Sequence, residues 1–178
     1  MKPPLEQGHR NDFQTPPEAL LPLLPYINKD WAIWEPACGK GNLVNELNRL
    51  GYQCIGSDIL TNWDFLKDEM PVYDFIITNP PYSIKHKFIA RCYALGKPFA
   101  LLMPLTALET EYRQSLYSRH GLQIILMPKR INFETPSGNG SGSWFATAWF
   151  TNRLNLPRDI NYYQPQTQGT FSLTGEGK

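Results

Sequence analysis

Short β-rich apolar runs alternate with segments of helical periodicity, and this alternation constrains the fold more than any other feature of the sequence. Five such runs precede residue 129: "WAIWE", "YQCIGSD", "YDFIIT", "FALLMP" and "LQIILMP". Segments with helical spacing of apolar residues follow the first, third and fourth runs. Strands that alternate with helices predict a parallel sheet that is covered by helices on both faces.

The last β-rich run, "WFATAWF" at 144–150, is reached by a different kind of connection. The segment before it, "KRINFETPSGNGSGS", is poor in helix formers and cannot supply a crossover helix. A connection without a helix indicates an antiparallel hairpin. We therefore predict an α/β fold with a mostly parallel, doubly wound sheet whose last strand runs against the others.

The chain has 178 residues, a length that suits one domain with one sizeable core. We expect a flexible arm over 1–12, the folded domain over 13–151, and a loosely ordered or disordered tail over 152–178, where apolar residues are few. The three cysteines match no zinc spacing, no signal-like or membrane-spanning segment is present, and the formal net charge is +1. The sequence therefore predicts a cytoplasmic protein without a metal ion, in which any binding of nucleic acid depends on a local basic patch.

Polar and glycine residues follow the predicted strands at the positions where α/β sheets bind ligands. Glu35, Cys38 and Gly39 follow the first strand, and Asp58 ends the second. A carboxylate at the end of the second strand is placed to hold both hydroxyls of a ribose, and its alternative is a cap of the strand. The glycine loop lacks the third glycine of a dinucleotide fingerprint and the Lys-Ser/Thr pair of a P-loop, which disfavours phosphate binding there.

The third strand ends in Thr78, and the residues that follow it, "NPPYS", form an unusual sequence. Two adjacent prolines end strand pairing and fix the backbone, so Asn79 and Tyr82 are held on a stiff loop. Taken alone, this segment is equally compatible with an ordinary turn.

Four elements in this order resemble the S-adenosylmethionine-dependent N6-adenine DNA methyltransferases of the NPPY type. They are "TPPE" at 15–18, "EPACGKGNL" at 35–43, the strand-end Asp58 and "NPPYS" at 79–83, and the resemblance covers about residues 12–150. It implies a Rossmann-like, seven-stranded methyltransferase fold and S-adenosylmethionine as the cofactor. It also implies transfer of a methyl group to the exocyclic N6 of adenine in DNA.

The resemblance also assigns cofactor contacts. It implies that 13–16 border the methionine part, that the loop after the first strand lies beneath it, and that Asp58 binds the ribose. Ile59 should lie against the adenine face, and Asp64 and Phe65 at the adenine edge, although Asp64 also suits a surface turn. The implied cofactor-binding residues are Phe13, Gln14, Thr15, Pro16, Glu35, Pro36, Ala37, Cys38, Gly39, Asp58, Ile59, Asp64, Phe65 and Asn79.

The implied catalytic residues are Asn79, Pro80, Pro81 and Tyr82. The N6 amine of adenine is a poor nucleophile because its lone pair is delocalised into the ring. The Asn79 side-chain oxygen and the Pro80 carbonyl can each accept one amine hydrogen and so localise that pair, which is catalysis by positioning and fixed electrostatics. Tyr82 would stack on the base, and stacking worth about 1–3 kcal/mol offsets part of the cost of extruding it.

Substrate contacts are expected from cations and a second aromatic ring. Lys85 and Lys87 follow the catalytic loop, and Phe133 offers a second stacking ring unless it is a core residue. A basic patch for phosphates would combine the two lysines with Arg113, Lys129 and Arg130. The alternative is that these charges are scattered over a solvent-exposed surface. The glycine-rich loop at 134–143 is either a flap that orders on substrate or a passive linker.

Several alternatives remain open at the level of sequence. No separate target-recognition region is visible, so base specificity is low, carried by loops or supplied by a protein partner. The alternative functions are methylation of adenine in RNA, methylation of a glutamine side chain in a protein, and a role as a catalytically inactive binding subunit. A nicotinamide-dependent dehydrogenase is disfavoured by the missing third glycine.

Overall fold

The computed structural model describes residues 14–135, 138–139 and 145–165, and these form a helix-flanked sheet. The helices are α1 (Asn42–Arg49), α2 (Lys85–Leu95) and α3 (Glu111–His120). The strands are β1 (Ala32–Glu35), β2 (Gln53–Gly56), β3 (Phe75–Thr78), β4 (Phe99–Pro104), β5 (Gln123–Leu126), β6 (Glu134–Thr135), β7 (Gly138–Asn139), β8 (Thr147–Asn152) and β9 (Ile160–Tyr162).

Seven of these strands form one sheet in the order β2-β1-β3-β4-β8-β5-β9. Strand β8 lies between β4 and β5 and is antiparallel to both, whereas the other pairs in this sheet are parallel. The predicted α/β fold, with a mostly parallel sheet and an antiparallel strand from the last β-rich run, is confirmed.

Residues 152–165 are more ordered than the sequence predicts. Strand β9 pairs in parallel with β5, and the side chains of Leu154 and Leu156 are buried. The tail was expected to be loose because it lacks an apolar run. It is held instead by backbone hydrogen bonds, such as Ile124 N–H to the Asp159 carbonyl at 2.7 Å, and by two isolated leucines. The residues of the expected arm, 1–12, and 166–178 lie outside the described residues, and the domain limits at 13 and 151 stay predictions.

Apolar residues on the central strands alternate between two buried layers. On β3, Phe75 and Ile77 belong to the layer beneath α1, whereas Ile76 belongs to the layer beneath α2 and α3. The same alternation separates Ile33 from Trp34 on β1. Burial on both faces explains why these strands read as continuous apolar runs rather than as alternating ones.

The segment before β1 crosses the α1 face of the sheet as two short 3₁₀ helices, Pro17–Leu20 and Leu24–Tyr26. A proline at each start and the further prolines within the segment prevent a longer α-helix. The indole Nε1 of the buried Trp149 donates a hydrogen bond to the Ala19 carbonyl at 2.7 Å and fastens this segment to β8. Among the described residues, no helix combines the length and apolar character needed to cross a membrane.

Candidate functional site

Most of the residues that the sequence marks for chemistry lie at one edge of the sheet, where the parallel strands end. Because β1, β2, β3 and β4 are parallel neighbours, the loops after them meet at this edge. Thr147 begins the antiparallel β8 opposite Pro104, the last residue of β4. Phe145 therefore also reaches this edge, although it precedes its strand.

Asp58 links the loop after β1 to the turn after β2. Its Oδ2 accepts a hydrogen bond from the backbone N–H of Gly39 at 2.9 Å, and its Oδ1 accepts one from Leu60 N–H at 2.9 Å. Cys38 N–H donates to the Ser57 carbonyl at 3.0 Å beside it. The carboxylate thus caps the 3₁₀ turn Ile59–Thr61 that follows β2 and joins it to the loop after β1. Each carboxylate oxygen has a second lone pair, so Asp58 can still accept a hydrogen bond from a ligand hydroxyl.

The segment from Gln14 to Pro16 packs against the same loop. Gln14 Oε1 accepts from Lys40 N–H at 3.0 Å, and the Thr15 carbonyl accepts from Asn42 Nδ2 at 3.3 Å. Gly39 has φ +52°, and a Cβ at this position would lie 2.9 Å from Gln14 Nε2. A side chain here would be strained by the positive φ and would displace the Gln14 amide, so the position favours glycine. Phe13, which completes the expected methionine border, lies outside the described residues.

Glu35 is the most deeply buried carboxyl at this edge, with 3% of its surface exposed. Its Oε2 has no hydrogen-bond partner among the described residues. Desolvation raises its pKa well above the ordinary range, the negative charge of Asp58 adds to this, and the backbone N–H of Val44 opposes it. Burial, Glu35 and Asp58 also raise the pKa of the Cys38 thiol. The loop after β1 is therefore an anionic environment that favours a positively charged ligand or a proton.

Three further residues of the expected cofactor contacts differ in placement. Ile59 is 62% exposed next to Asp58, as a residue that lies against a planar ligand requires. Phe65 is 2% exposed and packs edge-on against Trp34 in the core, with ring centroids 5.3 Å apart, so its ring does not reach the edge of the sheet. Its expected contact with the adenine edge is not supported, because core packing takes the whole ring.

Asp64 forms a turn. It accepts a hydrogen bond from Leu66 N–H at 3.0 Å and pairs with Lys67 at 2.9 Å, and the lysine contact lowers the pKa of this carboxyl. These contacts match the surface-turn alternative. The assignment of Asp64 to the adenine edge thus has no support from its surroundings.

The Asn79-Pro80-Pro81-Tyr82 loop starts directly at the end of β3. Pro80 is buried, and the Pro81 carbonyl accepts from Ile84 N–H at 3.0 Å, which starts a 3₁₀ turn that leads into α2. The loop is thus fixed at both ends by regular structure. The side-chain oxygen of Asn79 is shielded from solvent. Rotation of the amide by 180° exchanges its oxygen and its NH₂ group. The amide can accept a hydrogen bond from the amine of a base only when its oxygen faces the substrate.

Tyr82 has a part-exposed ring and a shielded hydroxyl that has no hydrogen-bond partner among the described residues. Burial of that hydroxyl raises its pKa. The ring packs edge-to-face against Phe145, with centroids 5.5 Å apart and an interplanar angle of 74°. The sequence missed Phe145 because its whole segment reads as one strand. Phe145 could have been found from its position just before β8, because an antiparallel strand begins at the edge where the parallel strands end.

Phe133, the expected second stacking ring, is 4% exposed and belongs to the core layer that contains Ile131 and Trp149. This placement corresponds to the core alternative. The described ring that packs against Tyr82 is Phe145. Most of the glycine-rich loop at 134–143 lies outside the described residues or has no described side chains, and its role as a flap stays a prediction.

The expected basic residues lie near the Asn79–Tyr82 loop or at the β5 end, on the side away from the loop after β1. Lys85 is part-buried, and its Nζ donates to the Tyr82 carbonyl at 3.3 Å, whereas Lys87 is exposed. Lys129 and Arg130 are exposed after β5 at the same edge. The described residues contain no group of His, Cys, Asp and Glu side chains that could hold a metal ion.

Comparison with known proteins gives matches among solved structures. No family model and no curated protein matches the chain. Among solved structures, it resembles a Listeria monocytogenes protein assigned as a class I S-adenosylmethionine-dependent methyltransferase, with a TM-score of 0.61, 15% identity and coverage of 89% of this chain and 67% of that one. A Pyrococcus horikoshii protein assigned as an RNA methyltransferase matches with a TM-score of 0.51, 12% identity and coverage of 85% and 90%.

A third similar structure is a Vibrio vulnificus protein assigned as the modification subunit of a type I restriction enzyme. It has a TM-score of 0.50 and 15% identity over 83% of this chain, which spans only 46% of that subunit. At these identities the likeness defines the fold. The chain therefore has the Rossmann-like fold of the S-adenosylmethionine-dependent methyltransferases, as the sequence predicted.

Proposed function

We propose that this protein is an S-adenosylmethionine-dependent methyltransferase that acts on the exocyclic N6 of adenine in DNA. One observation carries the proposal. The stiff Asn79–Tyr82 loop follows β3, whose neighbour β1 ends in the anionic loop that contains Glu35 and Gly39. A base held by the first loop and a cation held by the second are therefore neighbours.

The residues of the β1 and β2 loops fit the cofactor. S-adenosylmethionine, when bound, supplies a methyl group on a sulfonium, and its transfer to N6 leaves the electron pair on sulfur and releases one N6 proton to water. Glu35 Oε2, which is buried without a hydrogen-bond donor among the described residues, provides an acceptor for a positively charged group. Asp58 supplies acceptors for ribose hydroxyls, and the exposed Ile59 supplies an apolar surface for the adenine ring.

The Asn79-Pro80-Pro81-Tyr82 loop supports the chemistry at the target base. The two acceptor oxygens of Asn79 and Pro80 orient the amine, and the fixed backbone of the proline pair avoids the entropy loss of ordering a flexible loop. Tyr82 and Phe145 offer two aromatic rings for the base. This is positioning catalysis, and it requires no nucleophilic cysteine.

DNA is the preferred substrate because the resemblance in sequence is to DNA adenine methyltransferases. One of the similar structures is assigned as a restriction-enzyme modification subunit and another as an RNA methyltransferase, which supports a nucleic-acid substrate. We also propose a cytoplasmic location, which suits the free thiols of Cys38, Cys54 and Cys92. Target specificity then comes from loops or from a protein partner.

The test is methyl transfer from labelled S-adenosylmethionine to duplex DNA, single-stranded DNA, RNA and protein extract in separate reactions. We expect label in DNA, on N6 of adenine after digestion to nucleosides. Asn79→Ala should abolish transfer while cofactor binding persists, and Asn45→Ala, at an exposed position of α1, is the matched control. Label only in protein, or full turnover by Asn79→Ala, would refute the proposal.

A further inference from the structure

Two cations that form no ion pair with a carboxylate among the described residues, Lys85 and Arg113, lie beside the Asn79–Tyr82 loop. Arg113, in the first turn of α3, is only 9% exposed. Its Nε donates to the Ala107 carbonyl at 2.8 Å, and its Nη2 donates to the Thr106 carbonyl at 3.1 Å. These bonds fix the guanidinium against the turn that follows β4. Since arginine has five N–H donors, the two bonds leave three for another acceptor.

Lys85 is the second cation, and its charge is disfavoured in three ways. Burial lowers its pKa most, and the positive charge of Arg113 lowers it further, while Glu109 opposes both effects. It is also the first residue of α2, where the positive end of the helix dipole repels a cation. Among the described residues, neither Lys85 nor Arg113 has a carboxylate within 4.0 Å. A bound anion would relieve all three effects.

The position of this pair separates it from the anionic loops. Strand β3 lies between β1 and β4 in the sheet, so the loop after β3 has Glu35 and Asp58 on one side and the Thr106–Ala107 turn on the other. Arg113 therefore belongs to the side away from the proposed cofactor. Lys129 and Arg130, exposed after β5, extend the positive charge in the same direction.

We propose that Lys85 and Arg113 together bind one phosphodiester of a polynucleotide, next to the nucleotide whose base enters the site. This rests on the proposed function and narrows its substrate to a polymer with a phosphate backbone, rather than a free nucleoside or a protein side chain. Arg113 offers a fixed planar donor group, which suits phosphate. Lys85 contacts both the phosphate and the Tyr82 carbonyl, so the bound backbone is linked directly to the rigid Asn79–Tyr82 loop.

The test is the salt dependence of binding to a fluorescent single-stranded oligodeoxynucleotide that contains one adenine, followed by anisotropy without turnover. In Lys85→Gln the new amide still donates to the Tyr82 carbonyl, so only the charge is lost. The slope of log affinity against log salt should then become shallower by up to about 0.7, the value for one whole phosphate contact, because Arg113 still binds the same phosphate. The ratio of wild-type to variant affinity should accordingly shrink by up to about 2.6-fold between 50 and 200 mM salt.

The controls isolate charge from folding. Lys85→Arg and Arg113→Lys keep their charges and should keep the wild-type slope, and Lys97→Gln, at an exposed position at the opposite edge of the sheet, should also leave it unchanged. A wild-type slope in Lys85→Gln would overturn the phosphate site even if adenine is methylated. A reduced slope supports the site even if no methyl transfer is found. An RNA of the same sequence distinguishes the two sugars, and equal slopes for both polymers also support recognition of the phosphate.

Discussion

Replacement of Asp58 by asparagine tests whether this carboxylate holds the site together before any ligand binds. The carboxylate accepts two backbone hydrogen bonds, from Gly39 and from Leu60, each at 2.9 Å. An asparagine keeps one acceptor oxygen and turns an NH₂ group toward the other N–H. One hydrogen bond to a charged group, worth about 1.5–3 kcal/mol, is therefore lost.

For a chain of this size, each kcal/mol corresponds to about 2–4 °C, so the melting temperature of the ligand-free Asp58→Asn protein should fall by about 3–12 °C. Thermal unfolding followed by circular dichroism measures this shift, and calorimetric titration with S-adenosylmethionine measures the affinity separately. Asp30→Asn is the matched control, because the exposed Asp30 carboxylate accepts no hydrogen bond within the described part of the chain. An unchanged melting temperature together with weaker cofactor binding would show that Asp58 serves the ligand alone and that its role in joining the two loops is wrong.

Three further substitutions probe neighbouring parts of the site. Gly39→Ala should destabilise the protein more than Gly51→Ala, because both glycines have positive φ but only at Gly39 would the new Cβ clash, at 2.9 Å from Gln14; equal losses in urea unfolding would argue against that contact. The folded state of the wild type keeps the Glu35 proton to a higher pH than the unfolded state does, so the contribution of Glu35 to stability should fall as pH rises above about 4.5. Glu35→Gln should flatten this part of the plot of melting temperature against pH. An identical profile in the variant would mean that another group titrates. Tyr82→Phe removes a buried hydroxyl that has no partner in the described part of the chain, so it should leave stability equal or higher and stacking intact. Tyr82→Ala should lower kcat/KM about 5- to 150-fold through the loss of stacking. A large activity loss in Tyr82→Phe would assign the hydroxyl a direct role.

The strands and the ligand-binding edge were predictable because their signals are local. Apolar runs that end in Glu35, Asp58 and Asn79 locate three strand ends, and parallel pairing then brings those ends together. Strand β9 was not predictable, because its residues are exposed or half-buried and it forms through backbone pairing with β5. To predict β9, one must already know that β5 has an unpaired edge to which a further strand can add.

Side-chain direction was the second limit on the sequence analysis. Phe65, Tyr82 and Phe133 were found and Phe145 was missed, because a motif does not determine whether a ring points into the core or toward the site. Phe65 and Phe133 point into the core, whereas Phe145 lies against Tyr82. Likewise, the sequence near Asp64 contains the acid but does not reveal that Lys67, one turn away, already pairs with it. These outcomes depend on tertiary packing rather than on local preference.

The insertion of β8 between β4 and β5 has a consequence for synthesis on the ribosome. Strand β5 has no sheet partner until either β8 or β9, both later in the chain, has been made. The β4 and β5 edges therefore stay open while the chain emerges, and open apolar edges are prone to pair with other chains. Closure of these edges must wait for β8 and β9, at Thr147–Asn152 and Ile160–Tyr162, so the chain becomes resistant to aggregation only after these residues have been made.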